Sequence, residues 1–220
     1  LFLSIGMLWA ADEPDLRMLQ QKAAQSRDME GYVGVCKYLY QTEENPELLL
    51  LYADSIHQLA TKSKKPEQLV EYYIWASEGN FIKGDFQQGY ALKRKAIALA
   101  EKVGLKFAIS QSCCDMGYYC NVDARYDSAR YYFRKGLEAG EDLSEAGEAC
   151  RTMLTNYASS FLFEGKTDSA LVYTIRASER SAADKDTAML IENLNQLGTI
   201  YRRKKDLENC IANFEQALHL

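Results

Sequence analysis

An all-α fold of stacked antiparallel helix pairs is what this 220-residue sequence predicts, and three observations carry that reading. Compact residues recur with a period near 40: Ser77, Gly117, Ala158 and Gly198 are spaced by 40, 41 and 40. Twelve residues further on, Gly89, Ala129, Ala170 and Cys210 repeat the pattern, and seven beyond those come Ala96, Gly136, Ala177 and Ala217. Small side chains held in one phase let neighbouring helix backbones approach closely, copy after copy. Apolar residues also fall at helical spacing, as in Leu194, Leu197, Gly198 and Tyr201 at i, i+3, i+4 and i+7. Finally, the chain is 47% hydrophobic and 26% charged with only 3 prolines, which suits a packed helical protein with few breakers.

From the leading end, Leu1–Ala10 (LFLSIGMLWA) is an apolar or small stretch followed by Ala11-Asp12-Glu13-Pro14. This looks like the tail of a secretory signal peptide, with cleavage near Ala10 or Ala11, so residues 1–11 are expected to be a leader remnant. A run of about ten residues is too short to span a bilayer, which takes about 20. A buried apolar helix cap is the other reading. Residues 12–65 form a degenerate first repeat or cap. Helices are expected over Leu16 to Ala24 and around Tyr32, Cys36, Leu39 and Tyr40. Asn45-Pro46-Glu47 and Lys65-Pro66-Glu67 read as helix openings, with proline at the first helical position and an acid beside it. Between them Leu49, Leu50, Ala53, Ile56 and Ala60 make a buried stripe.

Residues 66–220 then hold blocks at about 70–109, 110–150, 151–190 and 191–220. In the last, Lys204-Lys205-Asp206 breaks the helix, and Asp206 is placed to accept from the free amides that open the next one. Ile211, Phe214, Ala217 and Leu218 share a face of that closing helix, and the absence of a polar outer side suggests further repeats beyond it. About eleven helices and no sheet are expected.

The block LNQLGTIYRRKKDLENCIANFEQAL resembles a tetratricopeptide repeat, whose pattern is L-x-x-L-G-x-x-Y, a turn, a small residue, an aromatic and A-L. Cys113, Met116, Gly117, Cys120, Tyr126, Ala129, Phe133 and Gly136 fit the same frame, as do Leu154, Tyr157, Ala158, Phe161, Gly165, Ala170 and Ala177. Thr174 stands where the aromatic belongs, and in residues 70–96 Asn80 and Lys93 depart from the pattern. The period of about 40 rather than 34 and the missing inter-repeat proline make it similar to long-repeat variants. The resemblance implies a right-handed superhelical solenoid whose first helices line a groove for an extended peptide or a partner helix. By phase, that groove would display Gln111, Cys114, Tyr118 and Asn121, then Thr152, Thr155, Ser159 and Leu162, then Asn195, Thr199 and Arg202. The lysine, asparagine and arginine clamp of chaperone-binding members does not appear.

The chemistry-bearing residues are few. His57 with Asp54 and His219 with Glu215 each offer two metal ligands at most, and such pairs are more often surface contacts. Cys36, Cys113, Cys114, Cys120, Cys150 and Cys210 contain no CxxC spacing, and Cys113, Cys120 and Cys210 sit at packing phases of the repeat, so small buried hydrophobes are expected, although export would permit disulfides. Tyr118-Tyr119 and Tyr131-Tyr132 must each send one ring toward the surface. A formal charge of −5 makes the segment a poor nucleic-acid binder. No catalytic residue, metal or cofactor is implied. The sequence thus points to a non-enzymatic protein- or peptide-binding scaffold. It resembles the exported, periplasmic sensor regions of membrane-anchored bacterial signalling proteins, particularly in Bacteroidetes, where two-component or DNA-binding outputs follow a membrane anchor. An anchor beyond Leu220 and a homodimer are both compatible with that layout. A soluble cytoplasmic assembly adaptor is the alternative.

Overall fold

The computed structural model describes residues 15–43 and 45–220, and the expected leader at residues 1–11 lies outside them. Among the described residues there are eleven α-helices and no strand. They are α1 (Leu16–Ser26), α2 (Met29–Thr42), α3 (Pro46–Ser63), α4 (Pro66–Lys83), α5 (Phe86–Val103) and α6 (Lys106–Val122). After them come α7 (Tyr126–Gly140), α8 (Gly147–Phe163), α9 (Thr167–Ala183), α10 (Thr187–Arg203) and α11 (Leu207–Leu218), with a 3₁₀ turn at Ser144–Ala146. The chain divides into two compact units between Leu105 and Lys106.

Local chemistry explains where helices begin and end. Pro46 and Pro66 open α3 and α4 at the position where a missing amide costs nothing. Asp28, Asn45, Asp85, Asp186 and Asp206 each accept from an amide in the first turn, at 2.8–3.1 Å. Gly84 and Gly104 close α4 and α5 in the left-handed region, with φ of 87° and 76°, which lets Asp85 and Leu105 return amides to Asn80 and Ala100.

In the first unit, α1 to α5 pack each on the next, and the expected stripe holds: Leu49, Ala53, Ile56 and Ala60 are buried, with Leu50 half-buried. Val35, Cys36 and Leu39 of α2 join Leu49, Ala53 and Trp75 in one apolar core. Burial pushes the Cys36 thiol up to about 12, with the Glu71 carboxylate adding to the shift. Lys93, a misfit by sequence, is fully buried on α5 and donates to Glu78 of α4, itself only 3% exposed. The other misfit, Asn80, donates to the Ala76 carbonyl one turn back.

In the second unit, α6–α7, α8–α9 and α10–α11 are the paired helices, and first helices also meet, α6 on α8 and α8 on α10. All twelve residues of the three compact rows, in both units, are buried. Their role is steric. A methyl group added to Gly198 would lie 2.7 Å from the Phe214 ring, and one on Gly117 would run into Phe133. Glycine is needed because a second-helix ring occupies the space where a first-helix side chain would begin. In α11, Cys210 and Ala217 are buried as expected, but Ile211 and Leu218 face solvent. That corrects the four-residue stripe: only the side turned to α10 is covered.

Candidate functional site

The expected groove rests on four phases of the first helices, and the structure separates them into two sets. At the first set, Cys114, Asn121, Thr155 and Leu162 are buried. Asn121 Nδ2 donates to the Asn156 carbonyl at 3.0 Å, joining α6 to α8. Thr155 Oγ1 donates to Asn193 Oδ1 at 2.9 Å, joining α8 to α10, and Asn193 Nδ2 donates to Ser181 Oγ at 3.1 Å. Leu162 packs with Ala170 and Ile200. Asn121, Thr155 and Leu162 are therefore stacking contacts between successive first helices, Cys114 is buried beside them, and the placement of all four in an open groove is corrected. The reason is rotational: positions seven apart share one side of a helix, and this side turns to the next first helix. Asn195 and Arg202 stand at the same two phases on α10 and are exposed.

The second set does reach solvent. Gln111 and Tyr118 are exposed on α6, with Tyr118 edge-on to Tyr119 at 5.5 Å. Thr152, Ser159 and Thr199 are half-buried. Ser159 Oγ also accepts from Gln196 Nε2 at 2.7 Å, so it serves stacking as well as display. Sequence reasoning missed the apolar members of this face. Phe107, Val122 and Phe163 are all exposed, and Phe163 lies 5.9 Å from the Tyr126 ring. Their signal was present: Phe107, Gln111, Tyr118 and Val122 are spaced 4, 7 and 4, which is one helical face. Tyr131, like Tyr118, is the exposed member of its pair.

A second concavity lies on the other side of α8. Phases of Thr152, Ser159 and Phe163 are about half a turn from those of Cys150, Leu154 and Tyr157 at about 100° per residue. The latter three floor a cleft of about 590 Å³ whose walls are α7 and α9. Tyr157 and Tyr173 meet edge to face at 4.6 Å, and burial, then the neighbouring Tyr173, pushes the Tyr157 phenol up. The Arg176 guanidinium lies 5.8 Å over the Tyr173 ring. Arg134 and Glu138 come within 4.0 Å, and Arg180 Nε donates to Asp184 at 2.8 Å. Asp184 also takes Arg151 Nη1 at 2.9 Å, and its two arginine partners, Arg180 then Arg151, hold its carboxyl below the usual range. Burial pushes the Cys150 thiol up, with Arg180 opposing. A smaller hollow of about 180 Å³ between α1 and α2 is bordered by Lys22, Glu30 and Lys37.

The remaining candidates do not gather into a site, and His57 and His219 are both exposed. His57 stacks on Tyr72 at 4.3 Å, where burial and then Asp54 push the phenol up. Among the described residues no three His, Cys, Asp or Glu side chains gather as a metal would need. All six cysteines are buried. No described helix is long and apolar enough to cross a membrane.

No family model matches the chain, and no curated protein matches it. Among solved structures, BtubC (BKLC) from P. vanneervenii is similar with a TM-score of 0.74 and 14% identity, over 93% of this chain and 85% of that one. At that identity the likeness speaks for the fold, and the fold is an all-α arrangement of helical repeats.

Proposed function

We propose that the chain is a non-enzymatic scaffold of long tetratricopeptide type that binds a protein or peptide on the exposed face of its first helices. The observation that carries this is the ladder on α6 and α8: Phe107, Gln111, Tyr118 and Val122 in register with Thr152, Ser159 and Phe163. Three large apolar residues and a tyrosine left in solvent beside hydrogen-bonding neighbours are the composition of an interface. The seven ladder residues are uncharged, with Asp115 beside them on α6 and Glu148 at the edge on α8, which suits a partner recognised mainly by shape and hydrogen bonds. We place the scaffold in the exported part of a bacterial signalling protein, on the strength of the apolar-to-charged boundary between Ala10 and Glu13. Partner binding would then bias the packing of the repeats and pass strain onward.

The test is a capture experiment with the mature segment and its Tyr118→Ala/Phe163→Ala variant. A partner retained by the first and lost by the second, at equal thermal stability, supports the reading. Equal capture by both removes the first-helix face from consideration. N-terminal sequencing decides location: a product starting near Ala11 or Asp12 means export, whereas retention of Leu1 means a cytoplasmic adaptor.

A further inference from the structure

We infer that the cleft between α7 and α9 is a second, separate binding site, for a free peptide of three or four residues held by its two charged ends. The argument is the ordering of charge along the cleft. At one end Arg134 and Arg176 flank the Tyr157–Tyr173 pair. Toward the other end come Glu138 and Glu179, then Glu141 beside Cys150. Arg180 also lies there, but its guanidinium is spent on Asp184. Among the described residues Arg176, Glu141 and Glu179 form no ion pair.

The cleft is therefore a dipole, with Leu154 on its floor and Leu137 on its α7 wall as apolar surface. Arg134 on α7 and Glu141, the residue just past its end, are seven residues apart, about 10 Å along the axis. Three extended residues span about 10 Å as well. A free tripeptide would lay its carboxylate on Arg176 and, in exchange for the 4.0 Å contact to Glu138, on Arg134, and its ammonium on Glu141 and Glu179. Its middle side chain would rest on the leucines and the tyrosine faces. A volume of about 590 Å³ accommodates such a ligand. Arginine suits the carboxylate end because its planar fork binds two oxygens at once. A single charge of either sign would leave one end of the cleft unmatched, and an internal segment of a longer chain has neither terminal charge to offer.

The experiment is isothermal titration calorimetry on the whole chain with Ala-Leu-Ala, its N-acetylated form and its C-terminal amide. Tight binding of the free peptide, weakened at least tenfold by either block, is the expected result. Arg176→Gln should abolish the preference for a free carboxylate, and Glu141→Gln the preference for a free amine. Melting curves of both variants check that they fold. The three peptides on the unaltered chain decide the matter even where a variant does not. Equal affinities for free and blocked peptides, or no heat at millimolar concentration, overturn the inference. Tyr118→Ala, on α6 and outside the cleft lining, should leave Ala-Leu-Ala binding unchanged, so failure here and failure of the first-helix face are told apart.

Discussion

The helix pairs α6–α7 and α4–α5 occupy equivalent places in the repeat yet fill them by opposite means. In α6–α7 a glycine, Gly117, receives the fully buried ring of Phe133. Forty residues earlier the same two places hold Ser77 and Lys93, and there a buried ammonium donates to Glu78. Thr174 gives a third solution in α9, its one hydroxyl proton shared between the Ala170 carbonyl at 2.8 Å and Gln196 Oε1 at 3.1 Å. The backbone arrangement thus tolerates a ring, a hydroxyl or an ion pair at one position. What it requires is a filled volume whose polar atoms have partners.

Energetics separate these solutions, and substitutions can break the comparison. The largest effect is expected at the ion pair. Glu78→Ala takes away the carboxylate facing a fully buried ammonium and should cost about 3–5 kcal/mol in urea unfolding, whereas Glu78→Leu/Lys93→Met should return to the parent stability or exceed it. A single variant within about 1 kcal/mol of the parent would show that the pair contributes little. Phe133→Ala should cost a similar amount, about 3–5 kcal/mol, because it empties a sealed site. At Phe214, which is 36% exposed, the same change should cost clearly less. Equal losses at the two phenylalanines would mean that burial does not govern this contact.

Overfilling is next. Gly117→Leu drives a branched side chain into the Phe133 ring and should cost about 1–3 kcal/mol, read as a lowered melting temperature. A smaller effect concerns acid. Asp184 is held below the ordinary aspartate range by Arg180 and Arg151, so its contribution is present above the unfolded value and is lost as pH falls through the folded one. Arg151→Met should therefore lower the neutral plateau toward the low-pH stability, which flattens the acid limb, and leave the stability below the folded value little changed. An unchanged limb would exclude the Arg151 bridge. Least of all, Tyr118→Ala should alter stability by no more than about 0.5 kcal/mol, since it only trims an exposed ring.

Much of this architecture was legible in advance. Pro46, Pro66 and Asp206 announce helix starts through local chemistry, and all three do so in the structure. The compact rows were legible because close backbone approach excludes larger side chains whatever the surroundings. The candidate site was legible only in half. Gln111 and Tyr118 are displayed, yet Asn121, Thr155 and Leu162, read by the same phase argument, are buried. Periodicity tells which residues share a side of a helix, not whether that side meets water or another helix. Lys93 was harder still, because the carboxylate that makes its burial tolerable lies on the preceding helix.

From the sequence alone came the helical class, the repeat period, the turn chemistry and the positions where only small residues fit. These depend on contacts within one helix pair, and each pair writes them again. Tertiary structure alone decided which first-helix faces are stacked, that Lys93 lies in a core, and that charges from α7 and α9 line one cleft. Such features depend on which helices become neighbours across tens of residues, and side-chain phase within a single helix carries no record of that.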